Sequence, residues 1–288
     1  MARIGRLVIT ITAVWFVING ILLLVVWRDY GVLSHLQVSF FDVGQGDGML
    51  LRTPYGHDVL IDAGPTGSIV NKLGATLPWY NRDLELVIIT HPHADHYRGL
   101  FEVLKRYEIK KVIVPDVTTT SSLYQKLITQ LQEQHIPVIR LKYPIRLRMG
   151  HDLTLDLLFP DHPLGTIKSM NDASLTGMLT FKHSRILLPG DLEAKGENYL
   201  IKKQAHLKAD VLKVGHHGSK TSTTEAWLSA IDPDYAIISV GAKNSYGHPH
   251  PSVVERLQEH DVTTYRTDVQ GDITLTSDGD KITLTSQK

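Results

Sequence analysis

Residues 90–96 read THPHADH. Four metal-type side chains, His91, His93, Asp95 and His96, fall in this run. An apolar segment, ELVIITH (85–91), leads into it and reads as a buried strand. RGLFEVLKRY (98–107) follows with helical spacing. The run therefore sits where a strand meets a helix, a junction that presents side chains at a sheet edge. In an extended segment His91 and His93 point to one side, so both can face one ion. Asp95 and His96 lie on the turn into the helix, point elsewhere and suit a second ion. A polar loop with incidental histidines is the competing reading. Chance assembly of this order behind an apolar strand disfavours it.

The chain has 288 residues, enough for one large domain or two small ones with a sizeable core. It contains no cysteine, which excludes disulfides, thiolate nucleophiles and thiolate zinc sites. A bound metal must therefore rest on histidine and carboxylate, and the 15 histidines supply ligands. Thirty basic residues balance thirty acidic ones. Arg3, Arg6 and Arg28 against Asp29 fall in the first 35 residues, so the remainder is slightly acidic. No global basic field draws nucleic acid. A polyanionic substrate would depend on local lysines and on metal ions.

LVITITAVWFVINGILLLVVW (7–27) carries no charge. As a helix it is long enough to cross about 30 Å of hydrocarbon. Arg3 and Arg6 precede it, and Trp27 and Tyr30 suit the far interface. This predicts an uncleaved anchor with the N-terminus inside and the rest of the chain outside. Arg28 and Asp29 roughly cancel, so the orientation bias is modest. A cleaved signal peptide would have a shorter apolar region and a small-residue cleavage site. A buried core helix would not be apolar on every face. The sequence divides into an anchor over 1–35 and a second domain over 36–288.

LQVSFFDV (36–43) alternates as a strand, and GMLLRTP with HDVLIDAG reads as a hairpin. KKVIVP, LTLDLLFP, SLTGMLTF, RILLPGD, ADVLKVGHHGS and DYAIISVG are further strands. SSLYQKLITQLQEQ (121–134) reads as a helix with a serine cap, and LEAKGENYLIKKQ and SVVERLQEH are also helical. GDITLTSDGDKITLT closes as a hairpin across Asp278-Gly279. Strands alternate with helices in two similar halves. This favours an α/β sandwich with two sheets inside and helices outside. A doubly wound single sheet fits the same coarse pattern.

HPHADH matches the H-x-H-x-D-H signature of the metallo-β-lactamase superfamily. FFDVGQGDGMLLRTPYGHDVLIDAGP (40–65) resembles the opening of one branch, the C-terminal extracellular domain of ComEC-type competence proteins, which act in DNA uptake. NDASL (171–175), LLPGDLE (187–193), LKVGHHGS (212–219), and SVG followed by YGHPHP (246–251) fit the same branch in order. The resemblance covers about residues 36–285 and implies the αββα sandwich of that superfamily, here behind one N-terminal transmembrane helix.

The resemblance also implies roles. His91 and His93 would bind a first metal, and Asp95 and His96 a second. Asp191 would bridge both ions, and His248 would complete the second. For Asp191 the competing role is a helix N-cap. The superfamily commonly places a further histidine near residue 171, where this chain has Asn171 and Asp172. GHHGS offers a replacement, as in phosphocholine esterases of the superfamily. That gives His217 to the first metal and His216 to phosphate or the leaving group, with exchange of the two left open. Asn171 and Ser174 would orient substrate or hold the loop. Asp62 would orient a ligand histidine, and Asp47 would face the site. Lys213, Ser219, Lys220 and Lys243 are candidate substrate or phosphate contacts.

Two bridged divalent ions, zinc or manganese, would activate water without a serine or cysteine nucleophile. The leading expectation is a membrane-anchored, metal-dependent phosphodiesterase, a ComEC-like nuclease acting on DNA outside the cell. One alternative is an esterase for envelope phosphodiesters such as teichoic-acid phosphocholine. The other is a metal-binding accessory protein without significant hydrolase activity.

Overall fold

The computed structural model describes residues 2–30, 35–164, 169–203 and 205–288, with side chains of the first helix described over 10–24. That helix covers Ala2–Tyr30. Its described apolar side chains, Trp15 and Leu23 among them, are exposed. The expected span over 7–27 and the boundary at residue 35 lie partly outside the described residues. Among the described residues, no helix is long and apolar enough to cross a membrane.

Two sheets follow. The first has eight strands in the order Ile282–Ser286, Ile273–Ser277, Leu36–Phe40, Gly48–Arg52, Asp58–Ala63, Leu86–Ile88, Val112–Pro115 and Val138–Leu141. The second has seven, in the order Thr263–Arg266, Tyr235–Ile238, Val211–Lys213, Ser184–Leu188, Thr176–Phe181, Leu153–Phe159 and Ile145–Arg148. Each sheet joins an antiparallel part built by hairpins to a parallel part built by crossovers. The expected hairpins form: Arg52 pairs with Asp58, and Ile273–Ser277 pairs with Ile282–Ser286.

Burial resolves the layers. Val38, Phe40, Met49, Ile61 and Ile88 of the first sheet pack against Leu155, Leu179, Ile186, Val211 and Ile237 of the second. On the outer face of the first sheet, Leu50, Leu60 and Val87 pack on Ile69, Leu73, Tyr124, Leu127 and Leu131. These come from the helices Ser68–Thr76 and Ser122–Glu133. On the outer face of the second sheet, Leu187, Leu212 and Ala236 meet Leu200, Trp227, Leu228 and Leu257. Their helices are Ala194–Lys202, Glu225–Ile231 and Pro251–Glu259. Strands buried on both faces read as continuous apolar runs, as ELVIITH does. The molecule is thus helix, sheet, sheet, helix, and the single doubly wound sheet is excluded.

Local signals explain the boundaries. Ser121 Oγ accepts a hydrogen bond from the Tyr124 amide and caps Ser122–Glu133. The segment 98–107 is less regular than its spacing suggests, with short helical pieces at Ala94–Tyr97 and Leu100–Val103. At the break the Gly99 amide donates to the Gly64 carbonyl at 2.9 Å instead of within the helix, and only glycine fits, because a Cβ there would meet the carbonyl oxygens of Ala63 and Thr66. That close approach locks the turn after the histidine run onto the neighbouring strand end.

Candidate metal centre

The site lies where strands of both sheets end. Leu86–Ile88 delivers His91–His96, Asp58–Ala63 carries Asp62, and Asp47 precedes Gly48–Arg52. From the second sheet, Ser184–Leu188 leads to Asp191, and Val211–Lys213 leads into the turn Gly215–Gly218 with His216 and His217. Parallel pairing of Ile186 with Val211 and Leu187 with Leu212 brings these last two groups together.

His91 and His93 face one another, Nε2 to Nδ1, at 3.1 Å. Two ring nitrogens at that separation suit ligands that share an ion. His96 is held from behind. Its Nδ1 lies 2.7 Å from Asp62 Oδ2, while Asp62 Oδ1 accepts from the Thr90 amide at 2.8 Å and Oδ2 from the Thr90 hydroxyl at 2.7 Å. With Nδ1 bonded to Asp62, Nε2 points at Asp191 Oδ2, 3.2 Å away. Asp62 has φ 57°, a left-handed backbone that aspartate tolerates better than most residues. Asp62 therefore sits where the sequence reading expected a carboxylate that orients a histidine.

Asp191 Oδ2 is the meeting point of the two half-sites. It lies 3.9 Å from His91 Nε2, 3.2 Å from His96 Nε2 and 3.4 Å from His217 Nε2. Its backbone amide donates to Ser174 Oγ at 3.0 Å, which fixes the loop. The helix Ala194–Lys202 takes Glu193 as its N-cap residue, so Asp191 does not cap it.

The glycine-histidine turn sorts its two rings. His216 (φ 47°) and His217 (φ 53°) both adopt left-handed backbone, which sends them in different directions. His217 turns inward. Its Nδ1 lies 2.9 Å from the Ser239 carbonyl oxygen, and Nε2 lies 3.4 Å from Asp95 Oδ2. Donor atoms of Asp95, His96, Asp191 and His217 all lie within 4.8 Å of one another. His217 thus joins the Asp95/His96 half, whereas the sequence reading paired it with His91 and His93. His248, expected in that half, lies outside the four-residue group. Its ring meets His216 edge-on at 5.6 Å between centroids.

His216 turns toward Asn171, whose Nδ2 is 3.4 Å from the ring nitrogens. Glu193 Oε1 lies 3.3 Å from His216 Nδ1 and accepts from Thr221 at 2.8 Å and Asn171 at 3.4 Å. Glu193 and Thr90 are residues that sequence reasoning missed. Thr90 was signalled only by preceding His91. Glu193 looked like an ordinary acidic helix start, yet its carboxylate serves His216 instead of the helix. Ser219 is buried and bonds to Thr221 at 3.0 Å.

Lys213 corrects an expectation. As a surface lysine it would contact phosphate, but its side chain is fully buried. It ion-pairs with Asp47, lies 3.5 Å from Asp191 Oδ1 and donates to the Gly190 carbonyl at 3.1 Å. The last residue of a strand between two sheets has no route to solvent here, so the ammonium sits among carboxylates. Asp47, itself fully buried, also lies 3.4 Å from His217 Nδ1. Lys220 and Lys243 are exposed.

The electrostatics show a centre short of positive charge. Burial pushes the His96 imidazole down, but Asp191 and Asp62 hold it well above its ordinary value. Burial opposes the His217 proton too, yet Asp191 and Asp47 raise it to about 10. Burial would raise Asp191 and Asp95, but the His217 and His96 rings keep Asp191 well below its ordinary value and Asp95 at about 2. His91, buried and facing His96, is pushed the other way and stays neutral. Carboxylates thus draw protons onto the imidazoles beside them. A divalent cation supplies the same charge and displaces those protons.

The donor set fits such a cation. Among the described residues, His217 Nε2 and Asp191 Oδ1 are buried without a hydrogen-bond partner. Unpartnered buried donors and acceptors are costly unless something else meets them. Imidazole nitrogen and carboxylate oxygen, with no sulfur, are the ligands of borderline divalent ions.

A family model described as the metallo-beta-lactamase superfamily matches residues 41–242. The chain belongs to this superfamily. Its curated relatives include ComE operon protein 3 of Bacillus subtilis, 33% identical over 257 residues, with 83% of this chain and 33% of the relative covered. Recombination protein 2 of Haemophilus influenzae is 33% identical over 253 residues, covering 86% of this chain and 30% of that protein. The chain spans about a third of the length of these relatives. Among solved structures, the diiron β-hydroxylase CmlA of Streptomyces venezuelae superposes with a TM-score of 0.55 at 15% identity, over 84% of this chain and 53% of CmlA. Zinc-bound PqqB of Methylobacterium extorquens gives 0.51 at 11% identity, over 80% and 97%. These structural likenesses speak for the fold alone.

Proposed function

We propose that the chain is a two-metal phosphodiesterase that acts on DNA outside the cell, moored by its N-terminal helix. The observation that carries this reading is the convergence of two histidine-carboxylate half-sites on Asp191 Oδ2, with His216 and Asn171 in contact with each other on the second-sheet side. Relatives named as competence and recombination proteins support DNA as the substrate.

His91, His93 and Asp191 would hold one ion, and Asp95, His96, His217 and Asp191 the other, either zinc or manganese. When bound, such a pair supplies Lewis acidity to water and to a phosphoryl oxygen. The chain does the rest. Asp62 fixes the His96 tautomer, and Ser239 fixes that of His217. Lys213 offsets Asp47, so the carboxylate cluster is less repulsive toward an anionic diester. Asn171 offers an amide donor to the substrate. His216, held by Glu193, is placed to give a proton to the departing oxygen. Lys220 and Lys243 offer solvent-facing charge for neighbouring phosphates.

The test is to load the full chain in detergent with zinc or manganese and offer single-stranded DNA, duplex DNA and bis(p-nitrophenyl) phosphate. DNA cleavage is expected. Cleavage of the small diester alone would replace the nuclease reading with an esterase. No cleavage with two metals bound would make the chain a metal-binding protein. Protease added to intact cells should remove the domain, and protection would reverse the orientation.

A further inference from the structure

We infer that Tyr246 is a stacking platform for a base of single-stranded nucleic acid whose backbone lies at the metal centre. The inference rests on the DNA-directed reading above and adds how the strand is held. Tyr246 is 70% exposed. Its ring stacks on His248 with centroids 5.8 Å apart and planes 25° from parallel. His248 in turn meets His216 edge-on at 5.6 Å. Three rings therefore run from solvent to His216, which faces Asn171 and Glu193.

The loop that presents Tyr246 is built to hold still. Asn244 Oδ1 accepts from the Tyr246 amide at 3.2 Å and from the His248 amide at 3.0 Å. Its Nδ2 donates to the His248 carbonyl at 2.7 Å and the Gly241 carbonyl at 2.8 Å. Four hydrogen bonds from one side chain fix a large ring that is itself left in water. Among the described residues the other strongly exposed aromatics are Trp15 and Phe16 on the first helix and Trp79 and Tyr143 on loops.

The chemistry selects the occupant. A flat ring with one face backed by His248 and the rest exposed suits another flat ring. Beside a phosphodiester centre, the flat ring available is a nucleobase, and in a duplex its faces are already stacked. Base–aromatic stacking tolerates any sequence and contributes about 1–3 kcal/mol per base. Exposed Lys243, three residues earlier, and exposed Lys220 provide charge for the backbone.

The test compares a short fluorescein-labelled oligothymidylate with a strand of equal length made of abasic residues. Binding to the full chain in detergent is followed by anisotropy with chelator present, so nothing is cut. Tyr246→Ala should weaken oligothymidylate binding about 5- to 150-fold and leave the abasic strand unchanged. Tyr246→Phe and Tyr246→Trp should retain wild-type binding. Equal loss on both strands, or no loss on either, would overturn the inference. So would wild-type protein that binds the two strands equally. A metal-loaded wild type that cuts bis(p-nitrophenyl) phosphate but no oligonucleotide would instead overturn the nuclease reading beneath it.

Discussion

The two sheets furnish the centre in different ways. The first supplies His91, His93, Asp95 and His96 from one continuous run, braced by Asp62 from the next strand. The second supplies Asp191, Lys213 and His217 from separate strand ends that meet only through the Ile186–Val211 and Leu187–Leu212 pairing. The first contribution is contiguous in sequence, with Asp62 of a neighbouring strand as its brace. The second exists only once the sheet has assembled. A metal centre built this way couples ligand geometry to complete folding, since half of its donors are absent until the register is right.

The sharpest way to break the comparison is at the point where the halves meet. Asp191→Ala should lower turnover on the order of 10³-fold or more, since it removes several kcal/mol of organised charge. Metal content measured on the same preparation should also fall. Retained activity would mean that Asp191 does not join the halves.

Next comes the second sheet's own support. Lys213→Met leaves buried Asp47 without its lysine and with only the neighbouring imidazoles, and should cost about 3–5 kcal/mol in urea unfolding of the metal-free chain. Pairing it with Asp47→Leu should recover much of that loss. If the single variant were neutral, the ion pair would not be what stabilises this half.

Chelation should lower stability by about 2.7 kcal/mol relative to protein held at a hundredfold excess of metal over its dissociation constant. The metal-free chain should also show its own pH signature. His217 is raised from its ordinary 6.5 to about 10. Its contribution is therefore complete below pH 6.5 and disappears as pH rises toward about 10. The melting temperature of the chelated protein should fall across that window. The metal-loaded protein should resist the same rise, because ion binding needs neutral imidazole.

A milder perturbation acts on the first sheet alone. Asp62→Ala should weaken metal affinity about 10- to 100-fold by freeing the His96 ring, measured by competition with a chromophoric chelator. The smallest effect lies behind the first half, where Ser121 Oγ also meets the Tyr97 hydroxyl at 3.2 Å. Ser121→Ala should cost about 1 kcal/mol in unfolding through the lost cap and leave metal affinity untouched. A change in affinity there would mean that the half-sites are not as local as the geometry implies.

Much of this was legible in the sequence because it is written locally. The buried strand into His91, the Ser121 cap and the turn at Asp278-Gly279 each depend on a few adjacent residues. Edge strands outside the closing hairpin were not legible. Arg140 interrupts the apolar run of Val138–Leu141, and Ile145–Arg148 alternates Ile145 and Leu147 with Arg146 and Arg148 over only four residues, none of them fully buried. Such charges are what exposed sheet edges use to avoid pairing with another chain. Within the site, side chains that act through tertiary neighbours escaped notice. Nothing around Lys213 in LKVGHHGS says that it points inward, and nothing in LLPGDLE says that Glu193 will face His216. The division of labour between His216 and His217 was equally hidden, because it depends on two left-handed residues in succession.

The strand Leu36–Phe40 carries one more consequence. It starts beside Arg52 and Asp58 and ends beside Met49, next to Asp47. The chain therefore joins the sandwich at its floor, while the metal donors stand at its rim, about 17 Å away along a five-residue strand. Anything that holds the protein through residues ahead of Leu36 works like the stem of a cup. It grips the base, at the end of the strand opposite the metal donors.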